Sequence, residues 1–491
     1  MDNRKNINKT TAVKSSIWKL MESFLSKGVS MVVSIVLARL IAPEVFGVIA
    51  LTTVFINLTD ILIQAGFSTT LIRKESVSDE DYSTVLGISI ISSTVLYLII
   101  FICAPVIADI YETPQLTPVL RVISLMLFCQ AFAAVRTAVV TRAMRFKTLF
   151  ICTIVSNIVS GTLGIVLAWL GYDVWALVAH HLCQQIVLTV LLFATVQIKF
   201  RLKISKSSIH EIVSPSLQIL SSSLLSFLGD SLYSVAIGKI YSMEDLGYYD
   251  KGSLFPRSFS LYTFSAVSSV FLPVFASYQN NYKKLNEIFR RVLNVLCFVI
   301  IPMMVGLCMV AEPLVSVVLT DKWLLAVGIL RWNCLYYAAI PVFLANVQLH
   351  FAIGKNETRI KTEIIRISLM ILMFIGLMFA RASVTTIAAV LAGIQIVITV
   401  FIMFETHRAT GYRVLDTIMD IIPSLISAAL MCMALYFISH LNFGKLILLV
   451  VEVLVGGSVY WLTSVIFRNK AYMECLGMIK SLIQSRRKSN A

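Results

Sequence analysis

The sequence predicts an all-α polytopic membrane protein of about 14 transmembrane helices, arranged as two pseudo-symmetric six-helix lobes plus a C-terminal helix pair. Three observations lead there: the composition, the alternation of basic links with apolar runs, and an internal repeat. Of 491 residues, 58% are hydrophobic and 14% charged, where soluble chains average about 45–50% and about 25%. Mean hydropathy is +0.87. Roughly 285 apolar residues, at about 20 per crossing, supply about 14 helices. A soluble multidomain enzyme is excluded, and the net charge of +15 reads as membrane topology rather than affinity for nucleic acid.

Apolar runs begin near residues 17, 46, 84, 117, 148, 174, 212, 247, 289, 325, 363, 384, 417 and 443. The first 16 residues carry Arg4, Lys5, Lys9 and Lys14 without an apolar core or a small-residue cleavage site, so no signal peptide is expected and the amino terminus is placed in the cytoplasm. Counting from that side, alternate links hold Arg73 and Lys74; Arg142, Arg145 and Lys147; Lys199 to Lys206; Lys283, Lys284, Arg290 and Arg291; Lys355 to Arg366; and Arg408 and Arg413. With both termini included, about 30 of the 41 basic residues fall inside, which fixes an even number of spans and two cytoplasmic termini. The links on the other face are short, leaving no external domain in which a glycan polymerase or ligase could house catalytic groups.

Leu37-Ala-Arg-Leu-Ile-Ala-Pro-Glu-Val-Phe-Gly47 lines up with Ile237-Gly-Lys-Ile-Tyr-Ser-Met-Glu-Asp-Leu-Gly247 at an offset of 200. Ala104-Pro105 and Leu120-Arg121 likewise match Glu312-Pro313 and Leu330-Arg331 at offsets of 208 to 210. Two ordered matches, each between correspondingly numbered spans, predict duplication of a six-helix unit. The expected lobes are residues 1–200 and 201–410, with residues 411–491 forming two further helices and a basic tail. Six spans separate the copies, so both enter the membrane in the same sense, as in parallel-repeat transporters.

Ionisable side chains at bilayer depth cost about 2.5–3.5 kcal/mol even on the lenient insertion scale, so each must face a cavity or a partner. Glu22, Ser26, Lys27, Ser30 and Ser34 lie along the first span, and Thr53, Asn57, Asp60 and Gln64 share one face of the second. Gln218, Ser222, Ser226, Asp230 and Ser234 stripe the seventh, while Asp250, Lys251, Arg257, Ser258 and Ser265 line the eighth. Arg136 sits in the fourth. Because the first, second, seventh and eighth spans are the repeat equivalents, the stripes point to one hydrated cavity between the lobes. Lys27, Arg136, Lys251 and Arg257 are the candidate substrate-binding residues, since cations at depth imply an anionic cargo and guanidinium forks suit phosphate. Glu22, Asp60, Asp230 and Asp250 are candidates for ion coupling. Any one of these can instead be a structural ion pair, such as Glu22 with Lys27 or Asp250 with Arg257 seven residues on, and the serines can instead bond helix to helix. His180-His181 and Gln184-Gln185 are a second candidate proton site, with inter-helix hydrogen bonding the alternative, and Glu452 stands alone in the last span, where a neighbouring helix or a lipid headgroup would partner it. No phosphate-binding glycine loop, metal motif or cofactor signature is evident, so transport is expected to draw on Na+, H+ or the membrane potential.

The run Ser34 to Gly47, followed by Gly66-Phe67 and Leu71-Ile-Arg-Lys74, resembles the opening of bacterial polysaccharide transporters, the O-antigen, exopolysaccharide and teichuronic-acid type flippases. These belong to the multidrug, oligosaccharidyl-lipid and polysaccharide exporter superfamily. The resemblance continues through Pro105, Leu120-Arg121, Arg142 to Lys147, Pro313 and Gly354-Lys355. It implies translocation of a polyprenyl-pyrophosphate-linked oligosaccharide by alternating access in the bacterial cytoplasmic membrane, for lipopolysaccharide or exopolysaccharide synthesis. It also implies membrane lipids, a polysaccharide polymerase and other export machinery as partners, and no nucleic acid. The pyrophosphate would meet the cations and the sugars a Ser- and Tyr-lined space, with Tyr241, Tyr248, Tyr249 and Tyr262 as candidates. The alternatives are an ion-coupled multidrug antiporter of the same architecture, marked by unpaired carboxylates such as Asp60 and Asp230, and a membrane glycan polymerase.

Overall fold

Pro43 and Met243 each open a helix just two residues after the preceding helix ends, and the intervening turns are closed by the same bond, Ile41 N to Leu37 O at 2.9 Å and Tyr241 N to Ile237 O at 3.0 Å. The 200-residue repeat is therefore a repeat of backbone geometry at this corner. In the computed structural model, residues 9–65, 71, 77–196, 206–278, 281–355, 357–380, 382–441, 443–467 and 471–474 are described. The links at 66–70, 72–76 and 197–205 and the basic tail beyond 474, all used in the sequence reading, lie outside them, as do the side chains of Gln64, Gln218 and Ser222.

Among the described residues there are fourteen long helices: α1 (Lys9–Leu40), α2 (Pro43–Asp60), α3 (Asp79–Ile110), α4 (Met126–Arg142), α5 (Phe146–Trp169), α6 (Asp173–Thr195), α7 (Lys206–Ile240), α8 (Met243–Ser277), α9 (Tyr282–Met309), α10 (Ala326–Ala352), α11 (Glu357–Ala380), α12 (Val384–Thr410), α13 (Val414–Ser439) and α14 (Lys445–Ile466). Ten of the spans are long and apolar enough to cross a membrane on those grounds alone. The chain is a multi-pass membrane protein.

Helix ends follow local chemistry. Ser78 caps α3 by accepting from Asp81 N at 3.2 Å while the Asp81 carboxylate accepts from Ser78 N at 3.0 Å, a reciprocal capping box. Gly411, at φ +77°, ends α12 in the left-handed conformation that glycine adopts without a Cβ clash. A short helix, Leu116–Ile123, leads into α4, and the link from α9 to α10 is built of a helical turn at Ala311–Leu314, a π turn at Val315–Leu319 and a 3₁₀ turn at Asp321–Trp323.

The chain divides into two compact units, Met1–Gly247 and Tyr248–Ala491. Helix α7, placed in the second lobe by the repeat, packs in the first unit against α2. Within that unit the amino-terminal turns of α2 and α8 meet backbone to backbone. A methyl group on Gly47 would overlap the Met243 carbonyl, and one on Gly247 would overlap the Pro43 carbonyl. Pro43 and Met243 are themselves related by the 200-residue offset, so the contact is reciprocal, as in a two-fold interface.

In the second unit, α13 and α14 are fastened to α9. Arg290 donates a fork to Asp420, one arm from Nε to Oδ2 at 2.6 Å, and Tyr460 donates to Phe298 O at 2.8 Å. Burial pushes the Tyr412 hydroxyl above its ordinary value of 10.0 and keeps it protonated as a donor to Asp420 at 3.2 Å. Asp420→Ala is expected to lower stability by about 1–2 kcal/mol. A double-mutant cycle with Arg290→Ala, read from thermal unfolding in detergent, checks it; purely additive losses would refute the fork. Outside the spans, Lys445 Nζ lies 3.0 Å from Asp321, which also accepts from Ser316. Ser316 first, then Lys445, holds the Asp321 carboxyl below its ordinary 3.8. A depressed carboxylate stabilises the fold above its unfolded value and loses that contribution as pH falls through the folded one. This tether of α14 is thus expected to be whole at neutral pH and to release only in acid below 3.8. Lys445→Met should remove that part of the acid dependence of the unfolding midpoint, and an unchanged acid dependence would show that the tether contributes nothing.

Candidate functional site

Three charged side chains of α8 lie together. Asp250 lies between two cations, with Lys251 Nζ at 3.5 Å from Oδ2 and Arg257 Nη2 at 3.6 Å from Oδ1. Both separations exceed the 2.7–2.9 Å of a charge-assisted hydrogen bond, so Asp250 holds the pair electrostatically. The Lys251 side chain is 5% exposed and Arg257 37%. Lys251 and Asp250 therefore anchor the cluster, and Arg257 carries the positive charge that it presents. Arg257 lies 14 residues from the start of α8, about 21 Å along the helix.

The remaining candidates divide. Lys27 and Asp230 are exposed, whereas Glu22 and Asp60 are half-buried, all within the first unit. Asp60 is the last residue of α2 before a π turn, Ile61–Ala65, that packs against α7, the helix bearing Asp230. Such turns recur at functional sites because they shift a side chain out of helical register; nothing in the apolar pattern foretold this one.

Arg136 does not reach an open face. It is 2% exposed between α4 and α6, with its Cζ 3.2 Å from the centre of the Phe193 ring and Nη1 donating to Phe132 O at 3.1 Å. An aromatic face and a backbone carbonyl take the place that phosphate was expected to fill. The α1 stripe also splits: Ser26 is buried and its carbonyl accepts from Asn157 Nδ2 of α5 at 3.0 Å, while Gln184 Nε2 of α6 donates to Asn157 Oδ1 at 2.6 Å. Ser26 and Gln184 thus fasten three helices together. Tyr248 and Tyr249 are buried, Tyr248 edge-on to Trp323, while Tyr241 and Tyr262 are half-buried. Arg366, read from the sequence as part of a cytoplasmic link, is 5% exposed within α11 and pairs with Glu363 at 2.7 Å. That i, i+3 pair was visible in the spacing, but the long basic link around it concealed that it is buried.

A family model described as a polysaccharide biosynthesis protein matches residues 36–328. The chain belongs to that family. The family's opening run, Val36 to Gly47, is the corner at which α1 turns into α2. The chain is similar to the succinoglycan biosynthesis transport protein of Rhizobium meliloti, 22% identical over 65% of this chain and 64% of that protein. It is also similar to the lipopolysaccharide biosynthesis protein WzxC of Escherichia coli, 22% identical over 82% of each, and to the teichuronic acid biosynthesis protein of Bacillus subtilis, 24% identical over 55% of this chain and 56% of that one. It thus spans somewhat less than two thirds of the first and third of these relatives. Among solved structures, a lipid II flippase in an inward closed conformation matches with a TM-score of 0.74 at 15% identity, covering 93% of this chain and 98% of that one. An inward-facing multidrug transporter matches with a TM-score of 0.60 at 16% identity, covering 81% and 94%. At these identities the likeness is one of fold.

Proposed function

We propose that this member of the polysaccharide biosynthesis family is a flippase, not an enzyme: it carries a polyprenyl-pyrophosphate-linked oligosaccharide across the bacterial cytoplasmic membrane, from the cytoplasmic to the outer leaflet. The observation that carries the reading is Arg257, partly exposed on a membrane-spanning helix and held there by Asp250 over a buried Lys251. An intramembrane cation of this kind is a functional site by default, because solvating it has no other return. The relatives' names speak for the same reading: they transport or build surface polysaccharides, and the lipid II flippase shares the fold.

In this reading the Arg257 fork takes one phosphate oxygen pair of the headgroup, and Lys251 helps to keep Asp250 in place. The sugars meet hydroxyl and tyrosine side chains, and the prenyl chain stays in lipid. If two negative charges move outward, an inside-negative potential of 100 mV favours the step by about 4.6 kcal/mol, at 2.3 per charge. Glu22, Asp60 and Asp230 are the carboxylates available to bind Na+ or H+ for the return step. Both termini lie in the cytoplasm, and a polysaccharide polymerase receives the cargo outside. Depleting the protein from cells that make a surface glycan is expected to strand the lipid-linked precursor on the cytoplasmic leaflet. Normal outer-leaflet exposure under depletion would refute the proposal.

A further inference from the structure

Arg121 and Arg331 occupy equivalent positions of the internal repeat, yet they are treated differently. In the first unit Arg121 is satisfied locally: its Nε donates to Phe101 O at 3.2 Å and its guanidinium lies 4.2 Å from the Phe101 ring centre. Arg331 makes no hydrogen bond or ion pair among the described residues and faces a cavity of about 550 Å³. The walls come from α9, α10, α13 and α14, all within the second unit, and include Arg331, Lys445, Glu312, Glu452, Tyr436 and Ser439. The two helices added beyond the repeat thus enclose a space over a cation that its counterpart in the first unit closes off with its own phenylalanine.

Glu452 gives this cavity its character. It is 1% exposed, and its Oε2 has no hydrogen-bond partner among the described residues. It lies seven residues into α14 from Lys445, about 10 Å below the helix start. Burying a carboxyl without a donor is costly, and a well-placed cationic donor would remove that cost. The lining therefore offers Arg331 near the rim, with Lys445 beside it already sharing its charge with Asp321 at 3.0 Å, and a carboxyl at depth, with Glu312 as a second acid. This is complementary to a zwitterion bearing a phosphate and a hydrogen-bonding ammonium. Phe437 on α13, Leu441 in the link that follows and Leu446 on α14, close in sequence to the lining residues Tyr436, Ser439 and Lys445, are large apolar side chains left exposed, a surface suited to acyl chains. The volume is in the range of small-molecule sites.

The structure assigns to this cavity the binding of a phosphoethanolamine lipid headgroup, with the phosphate held by Arg331 and Lys445 and the primary ammonium donating to Glu452. The site is separate from the Arg257 cluster and does not depend on what the protein transports. Lys445, at its rim, is the first residue of α14, at the end opposite Ile466. A trimethylated choline headgroup carries the same charges but has no N–H to give Glu452, and a glycerol headgroup has no cation.

The test is native mass spectrometry of the delipidated full-length protein with ethanolamine, choline and glycerol phospholipids of identical acyl chains, alongside acyl-free phosphoethanolamine. The ethanolamine lipid is expected to bind roughly tenfold more tightly than the choline lipid, the difference that one charge-assisted hydrogen bond makes. Glu452→Gln should abolish that preference while leaving choline-lipid binding unchanged, and Arg331→Gln should weaken both lipids. Equal binding of the ethanolamine and choline lipids to the wild type overturns the assignment, as does a preference that survives Glu452→Gln. Glycerol lipid bound as tightly as ethanolamine lipid would reduce the site to its cations and also overturn it. Equal affinity for acyl-free phosphoethanolamine would overturn the lipid as the source. Should Glu452→Gln fail to fold, the wild-type ratio of the two zwitterionic lipids and the Arg331→Gln variant still decide.

Discussion

Arg257→Ala is expected to slow delivery of lipid-linked oligosaccharide to the outer leaflet by roughly tenfold to a hundredfold, the loss of one charged hydrogen-bond donor worth about 1.5–3 kcal/mol. The protein should remain folded, because Arg257 is the more exposed partner of Asp250 and Lys251 keeps that carboxylate paired. Arg257→Lys should recover only part of the rate: it restores the charge but loses the planar fork that matches phosphate. Asp250→Asn tests the same geometry from the other side. It raises the cluster's net positive charge while freeing Arg257 to move, so headgroup binding should hold or tighten while transport falls. Leaflet-resolved labelling of the precursor in a depleted strain carrying each variant is the check. Full transport by Arg257→Ala at normal expression would remove the residue from the path.

The second large effect lies at the corner where α2 and α8 begin. Gly47→Ala places a methyl group against the Met243 carbonyl, and Gly247→Ala places one against the Pro43 carbonyl. Neither neighbour is a side chain that can rotate away, so the helices themselves must separate. Each substitution is expected to cost about 3 kcal/mol, the upper end of the usual range for overpacking. Because both open the same crossing, the double variant should cost less than the sum of the singles. Thermal unfolding in detergent measures all three, and an unchanged midpoint in either single variant would show that the contact is not tight.

The fourteen helices were legible because hydropathy is a local property, and the breaks between them fall where short polar or Gly- and Pro-containing links interrupt apolar runs. The corner at 41–42 and its counterpart at 241–242 were legible because a close backbone crossing demands glycine at one point, Gly47 and Gly247, and leaves that demand in the sequence twice. The Asp250–Arg257 pair, seven residues apart on one helix, was also within reach of spacing rules.

What stayed hidden depends on partners far along the chain. Arg136 is enclosed by Phe193 from another helix, and no periodicity within α4 reveals that. Ser26 belongs by spacing to the polar stripe of α1, yet Asn157 on α5 claims its carbonyl. Arg290 belongs by sequence to a cytoplasmic link and in the fold ties α9 to α13 through Asp420. Where a polar residue has a hydrogen-bond partner from another helix, it is structural; the stripes alone do not separate that case from a residue facing open space.

The most direct measurement places the purified protein in vesicles whose inner leaflet carries a fluorescent polyprenyl-pyrophosphate oligosaccharide, and follows its appearance on the outer leaflet with and without an inside-negative potential. Protein-dependent transfer, faster under the potential and strongly reduced by Arg257→Ala, is the expected result. Transfer no faster than in protein-free vesicles, accompanied by protein-dependent movement of cationic dyes, would contradict the flippase and favour the antiporter.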